Sequence, residues 1–313
     1  MYYPADMSNW TGRVDAEEGA LARRWHERVL PWRAEEVPLG TVLLGFACDA
    51  GVQRNQGRPG AKAGPMALRK ALASLAWHQK RPVYDAGDVV CEGDELEGAQ
   101  AELGRQVAGL LNAGHLPLVM GGGHEIAYGS FLGLARHAEL HSKPPRIGVI
   151  NLDAHFDLRA SILPSSGTPF RQIAEACNEN GWPFRYCVFG ISEPANTEAL
   201  FHRARELGVL WRLDDECGID QLEALRDTVT LFADEVDWLY LTICLDVLPG
   251  AVAPGVSAPA PRGIDLAVVE ALIDSVRSSG KLKLADIAEL NPAFDQDQRT
   301  AKVAARLLWR LAR

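Results

Sequence analysis

Apolar residues in this chain gather into short unbroken runs instead of alternating with polar ones, and no other feature constrains the fold as much. The clearest runs are Thr41 to Ala47, Leu116 to Met120, Arg146 to Leu152, Tyr186 to Phe189 and Trp238 to Leu245. Weaker ones lie at Val83 to Val90, Val209 to Leu213 and Leu282 to Ala288. A strand with one wet face alternates, so unbroken runs imply strands buried on both faces, as in a parallel sheet covered by helices. Helical spacing fills several of the gaps: Leu68, Leu72 and Leu75; Leu103, Val107, Leu110 and Leu111; Val269, Leu272, Ile273 and Val276. Gly64-Pro65, Gly114 and Gly280 mark helix boundaries. The pattern predicts one domain over residues 1–313, an α/β fold with three α/β/α layers around a mostly parallel sheet of about eight strands. Residues 1–38 read as an extension whose Trp10, Trp25 and Trp32 pack on the domain or on a neighbouring chain. The Pro/Gly-rich stretches Gly51 to Gly64 and Pro249 to Gly263 interrupt the pattern without a composition shift and read as long functional loops.

Composition narrows the function classes. With 41 acidic against 32 basic residues the formal charge is −9, which argues against nucleic acid, whose phosphates require a concentrated basic surface. No stretch approaches 18 uninterrupted apolar residues, and the opening MYYPADMSNW lacks the basic-then-apolar pattern of a signal peptide. The expectation is therefore a cytoplasmic protein that does not use a membrane. Six cysteines without any C-x-x-C pair read as reduced, mostly buried thiols.

Ligands of open parallel sheets bind beyond the carboxyl ends of the strands. Three of those ends are unusual: Gly121-Gly122-Gly123-His124-Glu125, Asp153-Ala154-His155-Phe156-Asp157, and Cys244-Leu245-Asp246. If extended, the middle segment projects Asp153, His155 and Asp157 to one side. Read alone, His124 is an ordinary histidine after a glycine turn, and Asp153 and Asp157 are caps of a following helix. A phosphate loop is disfavoured, since no G-K-[ST] follows and Glu125 would repel phosphate. Together, His124, Asp153, His155, Asp157 and Asp246 supply five ligands, enough for two divalent ions, and mixed carboxylate and imidazole donors suit Mn²⁺.

In that order and at those separations, G-G-G-H-E, D-A-H-F-D and the D-V-L-P segment at Asp246 resemble the arginase/agmatinase (ureohydrolase) family from about residue 40 onward. The resemblance implies an arginase-like fold, two Mn²⁺ ions and hydrolysis of a guanidino or amidino C–N bond in a small-molecule substrate. The segments 51–61, 153–159, 165–170 and 253–259 are similar to the branch that splits N-formimidoyl-L-glutamate into L-glutamate and formamide in histidine degradation. Arginases carry a histidine in the segment matching Gly167 to Phe170, and this chain has none, which speaks against arginine. Alternatives are another branch acting on a guanidino acid, or a non-catalytic member.

By the same resemblance His124, Asp153 and Asp157 hold one metal, and Asp153, His155 and Asp246 the other. Glu289, at the end of the last strand, receives the cationic amidine, and Asp157 relays a proton to the leaving amine. Arg159 pairs with a substrate carboxylate, with Arg54, Asn55 and Thr168 as weaker candidates for that pocket. Family members form symmetric assemblies, so a homo-oligomer is expected. One residue departs from the pattern: two positions before Asp246 the family has a bridging aspartate, and here stands Cys244. A thiolate there shifts preference toward Zn²⁺ or Fe²⁺, a neutral thiol leaves one metal under-coordinated, and a Cys244 that does not ligate is a plain buried strand residue.

Overall fold

Each of the eight apolar runs becomes a strand in the computed structural model, which describes residues 1–34 and 37–313. They are β3 (Thr41–Ala47), β4 (Val83–Val90), β5 (Leu116–Gly121), β6 (Ile147–Leu152), β7 (Tyr186–Ile191), β8 (Leu210–Leu213), β9 (Trp238–Cys244) and β10 (Leu282–Ala288). Two further strands, β1 (Tyr2–Tyr3) and β2 (Leu30–Pro31), bring the described sheet to ten instead of about eight. At two residues each they are too short to leave a pattern in the sequence. The order is β1-β4-β3-β5-β10-β9-β6-β7-β8, with β2 also on β4; every pairing is parallel except β1 with β4.

Helices cover both faces. On one side lie α2 (Gly64–Ala73), α7 (Leu222–Asp234), α8 (Leu266–Ser278) and α9 (Arg299–Leu311), whose Leu68, Val229, Leu272 and Leu308 join a core with Leu241, Ile243 and Ile287. The opposite core draws on α3 (Leu96–Asn112), α4 (Ile126–Ala138), α5 (Pro169–Glu179) and α6 (Glu198–Glu206), and includes Leu103, Phe131, Phe170 and Phe201 beside Val119 and Tyr240. A short α1 (Ala50–Arg54) follows β3. Trp10 and Trp25 are buried in this same chain, and Trp32 packs against its core. No helix among the described residues is long and apolar enough to cross a membrane.

What matters for function is the middle of the sheet. β5, β10, β9 and β6 are consecutive neighbours and parallel, so their carboxyl ends open on one edge. The chain segments leaving those four strands are 122–125, 289–291, 245–247 and 153–157. The strand order thus gathers residues separated by up to 165 positions over one spot.

Candidate metal centre

The loop after β5 is shaped by its glycines. Gly122 sits at φ 33°, and a Cβ there would come within 2.6 Å of the Phe46 and Cys48 carbonyl oxygens. Only glycine tolerates that approach. It turns His124 inward, where the ring is buried, its Nε2 is 3.0 Å from the Thr242 hydroxyl and its Nδ1 is 2.9 Å from Asp153 Oδ2 and from Asp157 Oδ2.

The segment 153–157 does not stay extended. It bends after Asp153, and Asp157 adopts a left-handed φ of 49°. Asp153, His155 and Asp157 therefore converge through a turn and not by strand pleat, which corrects the extended geometry expected from their spacing. The cap alternative fails too, because the next helix, α5, begins only at Pro169. Asp153 is fully buried: Oδ1 accepts the His155 backbone N–H at 2.8 Å, and Oδ2 accepts Asn151 Nδ2 at 3.0 Å. His155 Nδ1 lies 3.1 Å from Asp246 Oδ2 and 3.5 Å from Asp153 Oδ1.

Two triads share Asp153. Donor atoms of His124, Asp153 and Cys244 fall within 4.8 Å of one another, and so do those of Asp153, His155 and Asp246. Cys244, at the end of β9, is buried and lines the same cavity. Buried His124 Nδ1 and Asp246 Oδ1 have no aligned hydrogen-bond partner among the described residues. Buried polar atoms are seldom left so. Lone pairs of imidazole, carboxylate and thiol turned toward one another fit divalent cations, with oxygen and nitrogen donors predominating.

The electrostatics agree. Burial disfavours imidazolium at His124, yet the Asp153 and Asp157 carboxylates raise its pKa well above the ordinary range; at His155, Asp246 and Asp153 do the same. Burial likewise opposes charge on Asp153, but His124 and His155 outweigh it and hold that carboxyl low. Burial and Asp153 push Asp157 up to about 6 and raise Asp246. Burial, followed by Asp153, Asp246 and Glu289, drives the Cys244 thiol far up. Negative charge is in excess here, and a cation relieves it.

Glu289 caps the cluster. Its backbone N–H donates to the Gly122 carbonyl at 2.7 Å, its Oε1 accepts the His124 N–H at 2.9 Å, and its Oε2 is buried without a partner among the described residues. Its φ is 70°, a strained value for a side-chain-bearing residue, of the kind found where function demands it. Burial, with Glu125 and Asp246, pushes its carboxyl up to about 8.

These groups open onto a cavity of 310 Å³ lined by His124, His155, Asp157, Cys244, Asp246 and Glu289 on its floor, and by Asn55, Arg58, Arg159, Ser166 and Ser257 on its walls. The Arg159 side chain lies against Gly167, where a Cβ would come within 2.7 Å of its Cδ. Its guanidinium has no carboxylate partner among the described residues. Asn55 donates to Ser166 Oγ at 3.1 Å.

Two expected wall residues sit elsewhere. Arg54 is committed to Asp94 at 2.8 Å and Glu97 at 2.7 Å, and does not line the cavity. Thr168 is fully buried, its hydroxyl bonded to the Ser165 carbonyl at 3.0 Å and to Gln172 Oε1 at 2.9 Å. A basic or hydroxylic residue in a glycine-rich loop has no pattern that fixes its direction. Arg58, not singled out from the sequence, stacks 4.1 Å over Phe294 and donates to the Val256 and Ser257 carbonyls at 2.5 and 2.9 Å, joining the two long loops. Its signal was its place in the 51–61 segment. Glu125, which the sequence marks only as an anion, is wholly buried and accepts the Gly51 N–H at 2.9 Å.

The sequence model of the arginase family matches residues 39–313. A formimidoylglutamase of Ralstonia nicotianae is 58% identical over 99% of this chain and 96% of its own length. The crystal structure of Trypanosoma cruzi formiminoglutamase with two Mn²⁺ superposes with a TM-score of 0.78 at 27% identity, covering 88% of this chain and 92% of that one. Formimidoylglutamase from Bacillus subtilis shares the fold, with a TM-score of 0.83 at 21% identity over 96% of this chain and 93% of its own.

Proposed function

The chain belongs to the arginase family, and from that membership we propose that the centre at the ends of β5, β6, β9 and β10 hydrolyses N-formimidoyl-L-glutamate, with water, to L-glutamate and formamide. The observation that carries this reading is the convergence of His124, Asp153, His155, Asp157 and Asp246 beside a cavity that Glu289 and Arg159 also line, Arg159 having no carboxylate partner among the described residues. The cavity is small, at the low end of the range for small-ligand sites.

His124, Asp153 and Asp157 would hold one divalent cation and Asp153, His155 and Asp246 the second, with Cys244 Sγ in reach of the first triad. Mn²⁺ is the ion we assign, from the predominance of oxygen and nitrogen donors and from the trypanosomal relative. Bound there, the cations supply Lewis acidity that makes water a source of hydroxide near neutral pH.

The remaining work falls to side chains. Glu289 Oε2 takes a charge-assisted hydrogen bond from the formimidoyl amidinium, while Oε1 stays tied to the His124 N–H, so the amidine carbon is held over the metal ligands. Arg159 pairs with a carboxylate of the glutamyl end, in a cavity that Asn55 and Ser166 also line. Asp157, on the cavity floor beside His124, carries a proton to the departing amine as the tetrahedral adduct collapses. Histidine breakdown as the source of the substrate, and an assembly of like chains, are the further expectations that the family resemblance carries.

The test is glutamate release. Protein stripped of metal and reloaded with Mn²⁺ is expected to liberate glutamate from N-formimidoyl-L-glutamate and to leave a guanidino acid of similar length intact. Fewer than about one bound ion per chain by mass spectrometry, with no release, would instead support a non-catalytic member.

A further inference from the structure

Behind the metal centre lies a second buried polar group that the mechanism does not use. Tyr240 and Thr242 on β9 point to the same side of the sheet as Cys244, and Asp286 on β10 stands directly across from Thr242 in the parallel register. Asp286 is 1% exposed in a core otherwise built from Leu284, Ala288, Val119 and Phe131. Burying a carboxyl among such residues is costly, so its neighbours must compensate.

They do so in part. The Tyr240 hydroxyl is 2.5 Å from Asp286 Oδ2. Thr242, directly across from Asp286 in the register, presents its hydroxyl on the same side of the sheet. Asp286 Oδ1 is buried and has no hydrogen-bond partner among the described residues. Thr242 is also the residue whose Oγ1 meets His124 Nε2 at 3.0 Å. As an acceptor from the ring N–H, Thr242 has its own proton free to give, and Asp286 is the acceptor beside it.

We propose that Asp286 is a positioning residue for His124, acting through Thr242: the chain Asp286–Thr242–His124 keeps Nε2 protonated and Nδ1 turned, lone pair outward, toward Asp153 and Asp157. Groups that engage the second nitrogen of a ligating histidine fix its tautomer and ring orientation, and losing them costs metal affinity by about 10–100-fold. The proposal rests on reading His124 as a metal ligand. It adds that the ligand is set from a carboxyl buried on the next strand.

The test measures Mn²⁺ binding by equilibrium dialysis with mass spectrometry, the absorption spectrum of the Co²⁺-loaded protein, and thermal unfolding of the metal-free protein. Thr242→Val and Asp286→Asn are each expected to weaken one of the two sites by about 10–100-fold and to alter the Co²⁺ spectrum. Thr242→Ser should restore both. The double variant T242V/D286N should bind no more weakly than T242V, since both break one chain. Wild-type affinity and spectrum in T242V or in a folded D286N would overturn the relay, as would additive losses in the double variant. If D286N does not fold, T242V against T242S still decides the hydroxyl link on which the relay depends. A wild-type protein that takes up no Mn²⁺ would instead refute the metal centre, an outcome distinct from an intact centre indifferent to Asp286.

Discussion

Cys244 ends β9 with its sulfur within 4.8 Å of donor atoms of His124 and Asp153 and with Asp246 two residues on. Its thiol is driven far up by burial and three carboxylates, which is the expected state of a thiol facing negative charge and not cations. A divalent ion reverses that field and favours thiolate. In competition dialysis against equal Mn²⁺ and Zn²⁺, Cys244→Asp is therefore expected to raise the bound Mn²⁺/Zn²⁺ ratio by about tenfold. An identical ratio in both proteins shows that the sulfur does not ligate. Arg159 belongs to the same scale. One charge-assisted carboxylate contact contributes about 1.5–3 kcal/mol, so Arg159→Ala should raise KM for N-formimidoyl-L-glutamate roughly 10–150-fold with a smaller change in kcat. Steady-state kinetics on both forms, with a KM that does not move, would remove Arg159 from the substrate's carboxylate.

At the scale of elements, the five clearest runs, β3, β5, β6, β7 and β9, were readable as strands because burial of nearly every residue on both faces leaves little that is polar to interrupt them. The strand-end motifs were readable because metal-ligating side chains are rare in apolar surroundings. Helix α4 was not. It packs on α3 through Gly129 and Gly133, where a Cβ would meet Leu103 at 2.9 Å and Val107 at 2.5 Å, so glycines break the apolar stripe that Ile126, Phe131 and Leu134 would otherwise mark. Asp286 leaves no signal in the sequence because one acidic residue inside an apolar run looks like an interruption and not a site. The opposite ends of the central strands carry their own clamp: just before β6 and β9, Arg146 binds Asp237 through its backbone N–H at 2.9 Å and its guanidinium at 3.0 and 3.1 Å. Those bonds hold the Asp237 carboxyl down at about 2. Its folded pKa is depressed, so the pair stabilises above the ordinary carboxylate range and loses that contribution as pH falls from about 4 toward 2. Both side chains are about half exposed, 53% and 47%, so solvent screening keeps the effect small. Asp237→Asn should lower the urea midpoint slightly at pH 7, and the gap to wild type should narrow through pH 4 and below. A gap that widens on acidification contradicts the assignment.

Across the whole molecule, the first 34 residues act as the cover of a sheet edge. β1 and β2 both pair with β4, whose outer rim would otherwise present unpaired backbone groups to other chains. What pins this cover is a buried ion pair. Asp85 accepts Arg69 Nε at 2.8 Å and a second guanidinium nitrogen at 3.0 Å, the Trp10 indole N–H at 2.8 Å and the Gly87 N–H at 2.9 Å, while Arg69 also reaches Asp88 at 2.7 Å. Asp85 and Arg69 are 1% and 2% exposed, so neither tolerates losing its partner. Arg69→Met keeps the bulk of the side chain and strips the charge. It is expected to cost about 3–5 kcal/mol, since Asp85 is left buried with only neutral donors. Trp10→Phe removes one neutral donor from a carboxylate that keeps three others, and should cost about 1–3 kcal/mol. The two substitutions act on one carboxylate, so the cost of R69M/W10F should depart from the sum of the single costs by at least about 0.5 kcal/mol. Urea unfolding of the metal-free proteins measures all three, keeping any coupling to the metal centre out of the comparison. Simple additivity, or a smaller loss for R69M than for W10F, would mean that the N-terminal segment is held by its apolar contacts, with Trp10 and Trp25 the anchors and the ion pair incidental.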